Sequence, residues 1–306
     1  MVSPRSETMT SAKAATAAIA MSNTKATQML HRPFRWPHFL ALVAGLLFAL
    51  FPIFWMVSTS FKPVVEWTTT PPVWISGQAT WDNYRPLLVQ FEGVYKSGNG
   101  ASWIAMMNSL IVSSAATLIS LIIGGMAAIG FSRYRAGGHT MALAILSVRG
   151  IPTVVIAIPF LILFGWFGLR DTHVGLILAY VVFTAPFAFW MLKSFVDEIP
   201  AEIEEAAMMD GMSRWEAHIR VTLPLAKGGV IATGLFIFIL NWSEFLLAMV
   251  LSEKTVITVP VNINFYGGAP GIQAALATVA ALPIVIAGLL IHKHLARGFT
   301  LGAIKR

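Results

Sequence analysis

Six long apolar stretches punctuate the chain, at residues 39–58, 103–131, 141–167, 174–192, 228–250 and 271–291. Crossing a hydrocarbon core of about 30 Å takes about 20 residues at about 1.5 Å each, and each stretch is long enough. The pattern predicts an all-α, polytopic membrane protein with six transmembrane helices. Pro52, Pro152, Pro159, Pro186 and Pro283 fall inside these stretches. Neighbouring helices or water can satisfy the backbone groups that proline frees, so the prolines read as kinks rather than breaks.

Composition narrows the class further. The chain has 306 residues, of which 57% are hydrophobic and 11% charged, with a mean hydropathy of +0.73. Soluble domains carry roughly 25% charged residues, so an ordinary soluble enzyme is excluded, as is a disordered or collagen-like chain. Cysteine is absent, which removes disulfides, thiolate metal sites and a cysteine nucleophile. The net charge of +7 raises the question of nucleic acid, and the placement of the charges answers it. Of the 21 Lys and Arg residues, fifteen fall on one side of the six segments, five on the other, and Arg149 inside the third. The basic side is expected to be cytoplasmic and to carry both termini. The basic balance then needs no nucleic acid.

Residues 1–31 hold no long apolar run and are rich in Ser, Thr, Ala and Met. They read as a cytoplasmic tail; a targeting presequence or a later start at Met9, Met21 or Met29 are the alternatives. The outer loop over 61–102 carries Trp67, Trp74, Trp81 and Pro71-Pro72. Capping the pore or touching an external partner, and forming an interfacial aromatic belt, explain it equally well.

The loop over 193–228 on the basic side is the informative one. Pro200 can open a helix, and Glu202, Glu204 and Glu205 suit its positive N-terminal end. Ala206, Ala207, Met208 and Met209 continue it, and Gly211 can end it with a sharp turn. Ser213, with Glu216 three residues on, predicts the cap of a second short helix over about 213–221. Leu223-Pro224 is expected to stop it before the next span.

Glu205-Ala206-Ala207, three residues, Gly211, nine residues, Val221, one residue and Leu223-Pro224 resemble the EAA motif of permease subunits of binding-protein-dependent ABC importers. Val221 stands where the family usually has Ile. Other matches resemble the carbohydrate-importer, maltose-permease-like branch: Asn83-Tyr84, Asn108-Ser109-Leu110, Ile151-Pro152, Ile158-Pro159-Phe160, the run Gly168 to Thr172 followed by Gly175-Leu176-Ile177, and Arg297-Gly298-Phe299-Thr300 with Gly302 to Lys305. The fifth stretch departs from the family's Trp-Asn-Glu: it reads Trp242-Ser243-Glu244, with Asn241 on the other side of the Trp.

The resemblance implies a type I ABC importer permease fold in a bacterial inner membrane. Its divisions would be a cytoplasmic tail over 1–37, the first helix and outer loop over 38–102, a permease core over 103–292 and a cytoplasmic tail over 293–306. It implies that the loop around Glu205, Ala206, Ala207, Asp210, Gly211, Leu223 and Pro224 docks on a partner ATPase. Two ATPase subunits with their ATP and Mg, a second permease subunit and an extracytoplasmic solute-binding protein would complete the assembly. The chain would import a carbohydrate or polyol, perform no covalent chemistry and need no cofactor of its own.

The sequence holds no GxxxxGK[ST], HExxH, EF-hand loop or GxSxG. Energy must therefore come from partners or from an ion gradient. An ion-coupled carrier would show paired mid-membrane acids and internal repeats, and a membrane enzyme would show clustered catalytic groups. His292 and His294, at i and i+2, share no helical face. Glu244 and Arg149 are the ionisable residues inside the spans. Glu244 reads equally as a path-lining group or a structural hydrogen-bond partner. Arg149 reads first as a snorkelling or helix-contacting residue, with Asn241, Glu244 and Arg149 as candidate lining of the translocation path.

Overall fold

A computed structural model describes residues 36–89 and 102–302, apart from the side chains of residues 139, 149 and 291–302. The expected N-terminal tail and the side chains of the C-terminal motif lie outside the described residues. Helices account for the regular structure, and no strand occurs among the described residues. They are α1 (Trp36–Ser60), α2 (Ser102–Tyr134), α3 (Gly138–Ser147), α4 (Thr153–Trp166), α5 (His173–Asp197), α6 (Ala201–Met209), α7 (Arg214–Ala217), α8 (Leu223–Leu225), α9 (Lys227–Trp242), α10 (Leu246–Leu251), α11 (Val259–Phe265) and α12 (Pro270–Gly302).

The chain divides into two compact units between Phe54 and Trp55. In the first, the helical residues up to Phe54 are apolar on all sides and almost all exposed. That is the surface of a helix solvated by hydrocarbon. The second unit is built on the α2–α5 pair, with α9 packed on α2, α5 and α12. Small residues set the α2–α5 distance: a Cβ at Gly124 would stand 2.5 Å from the Cβ of Ala188. A core of Val112, Ala116, Phe164, Leu176, Tyr180, Leu247 and Val256 joins α2, α4, α5 and α10.

Four helices are long and apolar enough to cross a membrane: α1, α2, α5 and the 270–290 part of α12. A fifth crossing is counted if residues 214–225 and α9, bent by 75° across Ala226, act as one. The third and fifth predicted stretches are not single helices. α3 ends at Ser147, a tight turn runs over Val148–Gly150, and α4 spans 14 residues, about 21 Å at ~1.5 Å per residue. Ile151 is extended (φ −79°, ψ 121°), as a residue before proline prefers, so Pro152 breaks this stretch. Pro52, Pro159, Pro186 and Pro283 do lie inside helices. The fifth stretch breaks after Trp242, and α10 follows as a separate short helix.

Candidate coupling site and translocation path

The two short helices expected in the 193–228 loop form and meet at Gly211. Gly211 has φ +94°, the left-handed region in which a Cβ costs energy. Its N–H donates to the Met208 carbonyl at 3.0 Å, and the Met212 N–H to that of Ala207 at 3.2 Å. This paired closure satisfies carbonyls left open at the end of α6. Ser213 caps α7, with its hydroxyl accepting from Glu216 N–H at 3.3 Å and its own N–H donating to Glu216 Oε2 at 3.0 Å. Leu223-Pro224 does not stop the second helix. One π-helical turn over His218–Thr222 carries it into α8. A proline ring would clash with the carbonyl four residues back in a regular turn, and the wider turn accommodates it.

α6 has two faces. Glu204 and Ala207 are buried, whereas Glu205, Ala206, Met209 and Asp210 are exposed, and Leu223 and Pro224 are exposed further on. Glu204 is 4% exposed and anchors the loop. Arg133 Nε, near the end of α2, donates to Glu204 Oε1 at 2.7 Å, and Arg133 Nη2 to the Ile199 carbonyl at 2.9 Å. The Thr222 hydroxyl donates to the same Glu204 oxygen. His218 Nδ1 stands 3.2 Å from Glu204 Oε2, a close approach rather than an aligned hydrogen bond. On its far side, His218 Nε2 meets Tyr134 Oη at 2.9 Å. Burial alone would raise the Glu204 pKa, but hydrogen bonds from Thr222 and Arg133 and the nearby positive charge hold it below the ordinary carboxylate value.

Two of the three intramembrane candidates come together. Glu244 and Asn241 line one cavity of about 140 Å³ with Tyr180, Thr184, Thr153 and Ile151. Glu244 Oε1 accepts from Leu247 N–H at 3.0 Å, so it also caps α10. Asn241 Nδ2 donates to Thr117 Oγ1 of α2 at 3.2 Å. The backbone of Arg149 lies in the turn between α3 and α4; its side chain is outside the described residues.

Residues 120–301 match the family described as "Binding-protein-dependent transport system inner membrane component". The chain belongs to this family. It is 34% identical over 278 residues, 88% of this chain and 97% of the relative, to the trehalose transport system permease protein SugB of Mycobacterium tuberculosis. It is 30% identical over 280 residues, 88% and 96% of the two chains, to the diacetylchitobiose uptake system permease protein DasC of Streptomyces coelicolor. Among solved structures, a bacterial ABC transporter involved in the import of the acidic polysaccharide alginate aligns with a TM-score of 0.67 at 21% identity, covering 86% of this chain and 99% of that one. That likeness concerns the fold. The chain is a multi-pass membrane permease subunit, and its family is a transport component rather than a catalytic one.

In this permease several of the other motif residues among the described ones act as ties. Asn83 Nδ2 donates to the Ser60 and Lys62 carbonyls at 2.9 and 2.8 Å, and Tyr84 Oη meets Ser60 Oγ at 2.8 Å. Asn108 Nδ2 donates to the Ile257 carbonyl at 3.1 Å while His173 Nε2 lies 3.0 Å from Asn108 Oδ1, and Ser109 Oγ accepts from Val259 N–H at 2.8 Å. Asp171, at φ 55°, accepts from the N–H groups of Glu253, Lys254, Thr255 and Val256 at 2.8–3.1 Å. Burial would raise its pKa, yet these amide bonds lower it from 3.8 to about 2. Arg170 pairs with Glu253 beside it. Sequence reasoning missed Glu204, Arg133 and Asp171 as anchors. Arg133 counted only as one of the basic-side charges, and Glu204 only as a helix-start acid.

Proposed function

We propose that this chain is one of two permease subunits of an ATP-driven importer, and that it carries a carbohydrate or polyol by alternating access. The observation that carries the reading is the division of α6. Glu204 is locked inward to α2, while Glu205, Ala206, Met209 and Asp210 remain on the surface. Small Ala206 lets a partner backbone approach closely, and Glu205 offers a carboxylate to a basic residue across the contact. Gly211 presents this helix at its angle, and Leu223-Pro224 joins it to α9 through the bend across Ala226. Two ATPase subunits would hold ATP and Mg and close on them, moving the docked helix as a rigid body. An extracytoplasmic solute-binding protein would deliver substrate.

The charge bias supports both termini and the α6–α8 loop being cytoplasmic. The full reading has six crossings, with α3–α4 serving as the third and α9–α10 as the fifth. The sugar class is supported by the trehalose and diacetylchitobiose relatives. Asn241 and Glu244 would meet the substrate's hydroxyls in their shared cavity.

Because the chain has no native cysteine, single-cysteine chemistry tests the orientation and the partner together. Ala206→Cys in the assembled importer is expected to form a disulfide with a cysteine placed in the ATPase docking cleft. It should resist a membrane-impermeant maleimide in intact cells. Labelling from outside, or no cross-link to any ATPase position, would overturn the reading.

A further inference from the structure

A second, larger cavity lies where α2 ends and α3 begins, and its lining shares no residue with that of the Glu244 cavity. It measures about 460 Å³, and its walls include Phe131, Arg135, Ala142, Trp190 and Lys193. The turn that makes it is strained in a specific way. Arg135 is held at φ 50°, and Gly137 and Gly138 follow at φ 74° and 63°. A Cβ at Gly137 would stand 2.5 Å from Met141 Sδ and 3.0 Å from Phe131 Cζ, so this turn needs glycine there. The result is that Arg135, just past α2, and Lys193, near the end of α5, line one space.

The chemistry of that space is mixed in the way a lipid headgroup requires. Phe131, Ala142 and Trp190 supply apolar wall, and the two basic residues supply positive charge. Lys193 already pairs with Asp197 at 2.6 Å, whereas Arg135 makes no ion pair among the described residues. Trp190 Nε1 is buried without a hydrogen-bond partner, although buried donors are generally satisfied. α2 is an apolar helix of 33 residues ending at Tyr134. Its basic end, with Arg133 and Arg135, belongs to the side that the charge bias assigns to the cytoplasm, where basic pockets between helices bind anionic headgroups.

We propose that this cavity binds the phosphate group of an anionic phospholipid. Arg135 supplies the positive charge that holds the phosphate oxygens, the Trp190 N–H donates to a headgroup oxygen, and the first acyl carbons lie against Phe131 and Ala142. The inference rests on the chain spanning a membrane and not on its substrate or on the coupling role of α6.

The test is native mass spectrometry of the detergent-purified, assembled importer incubated with phosphatidylglycerol, with phosphatidylcholine or with inorganic phosphate. The wild type is expected to retain phosphatidylglycerol in preference to phosphatidylcholine. Arg135→Gln should weaken that retention about fivefold, the change expected for one interfacial Arg, while Arg135→Lys keeps most of it. Trp190→Phe should weaken it less. Arg135 is exposed, so its variants are expected to assemble; should the Gln variant fail, a measurable weakening in an assembled Trp190→Phe together with retention by Arg135→Lys supports the proposal, and unchanged retention in Trp190→Phe overturns it. Equal retention of the two lipids, or unchanged retention in Arg135→Gln, would overturn the proposal. So would occupancy by inorganic phosphate that excludes phosphatidylglycerol, which would assign the site to a free anion.

Discussion

Arg133 and Glu204, 71 residues apart in the chain, meet at 2.7 Å in a buried ion pair that fastens the first turn of α6 to the end of α2. A buried carboxylate is tolerable only when it is paired and hydrogen-bonded, and here Thr222 and Arg133 both donate to Glu204 Oε1 while His218 stands beside Oε2. The neighbouring acid, Glu205, is exposed. Two adjacent glutamates thus face opposite ways, one holding the loop to its own subunit and one left for another molecule.

Replacing them should have separable effects. Glu204→Ala leaves Arg133 without its anion and is expected to cost about 3 kcal/mol, the order seen when one member of a buried pair is removed. It should show as a lowered unfolding temperature of the purified assembly. Glu205→Ala should leave that temperature unchanged and instead reduce uptake per ATP hydrolysed in proteoliposomes. If Glu205→Ala were the destabilising change and Glu204→Ala silent, the two-faced account of α6 would be wrong.

At Gly211 the expected penalty is conformational rather than steric. A Cβ there would meet nothing within 4 Å, but φ is +94°. Gly211→Ala should therefore cost about 1 kcal/mol. Gly211→Asn should cost less, because Asn tolerates positive φ. A bulkier residue should be little worse than Ala in stability measurements. A steep dependence on side-chain volume would show that a partner surface fills the space, and would shift the explanation from backbone to contact.

Local signals in the sequence were strong where they concern a single element. The Ser213–Glu216 cap and the Gly211 turn follow from residue type and spacing, and both form. What could not be read was which neighbour each polar residue would find. Nothing in the spacing of Arg133 and Glu204 ties them together, because the tie depends on how α2 packs against the loop. The break at Pro152 was misjudged for a related reason. Proline at 159 or 186 is absorbed inside a helix, and it is the adjacent Gly150 and the extended Ile151 that turn Pro152 into an end. Asp171 carried a family resemblance but no visible task until four successive amides were found aimed at it.

Those amides make Asp171 a source of acid sensitivity. Its carboxyl is lowered from 3.8 to about 2 in the folded chain, against the raising effect of burial, by the bonds from Glu253 to Val256. A depressed carboxylate stabilises the fold fully above its ordinary value and loses that contribution as pH falls through the folded value. The stabilisation should therefore fade between about pH 4 and pH 2. Asp171→Asn turns an amide donor toward N–H groups that need an acceptor and should remove ~1–3 kcal/mol at neutral pH. Hydrogen exchange of residues 253–256 is the direct measurement. Protection that persists in Asp171→Asn, or that disappears near neutral pH in the wild type, would contradict the assignment.

The α2–α5 contact offers the sharpest packing test. A Cβ on Gly124 would lie 2.5 Å from Ala188 Cβ and 2.6 Å from the Phe189 backbone nitrogen. The first neighbour can be trimmed and the second cannot. Between membrane helices, close approach of small residues supplies much of the attraction, so a methyl group here acts as a spacer. Gly124→Ala is expected to destabilise the assembly by about 1–3 kcal/mol, as overpacking in a tight core does. Adding Ala188→Gly should recover only part of it, because the nitrogen of Phe189 remains in the way. Gly124→Leu should insert into the membrane yet fail to yield a folded subunit, read as protease-sensitive protein in isolated membranes. Full rescue by Ala188→Gly would mean that the two helices slide along each other freely, and the rigid pairing on which the rest of the core is built would have to be abandoned.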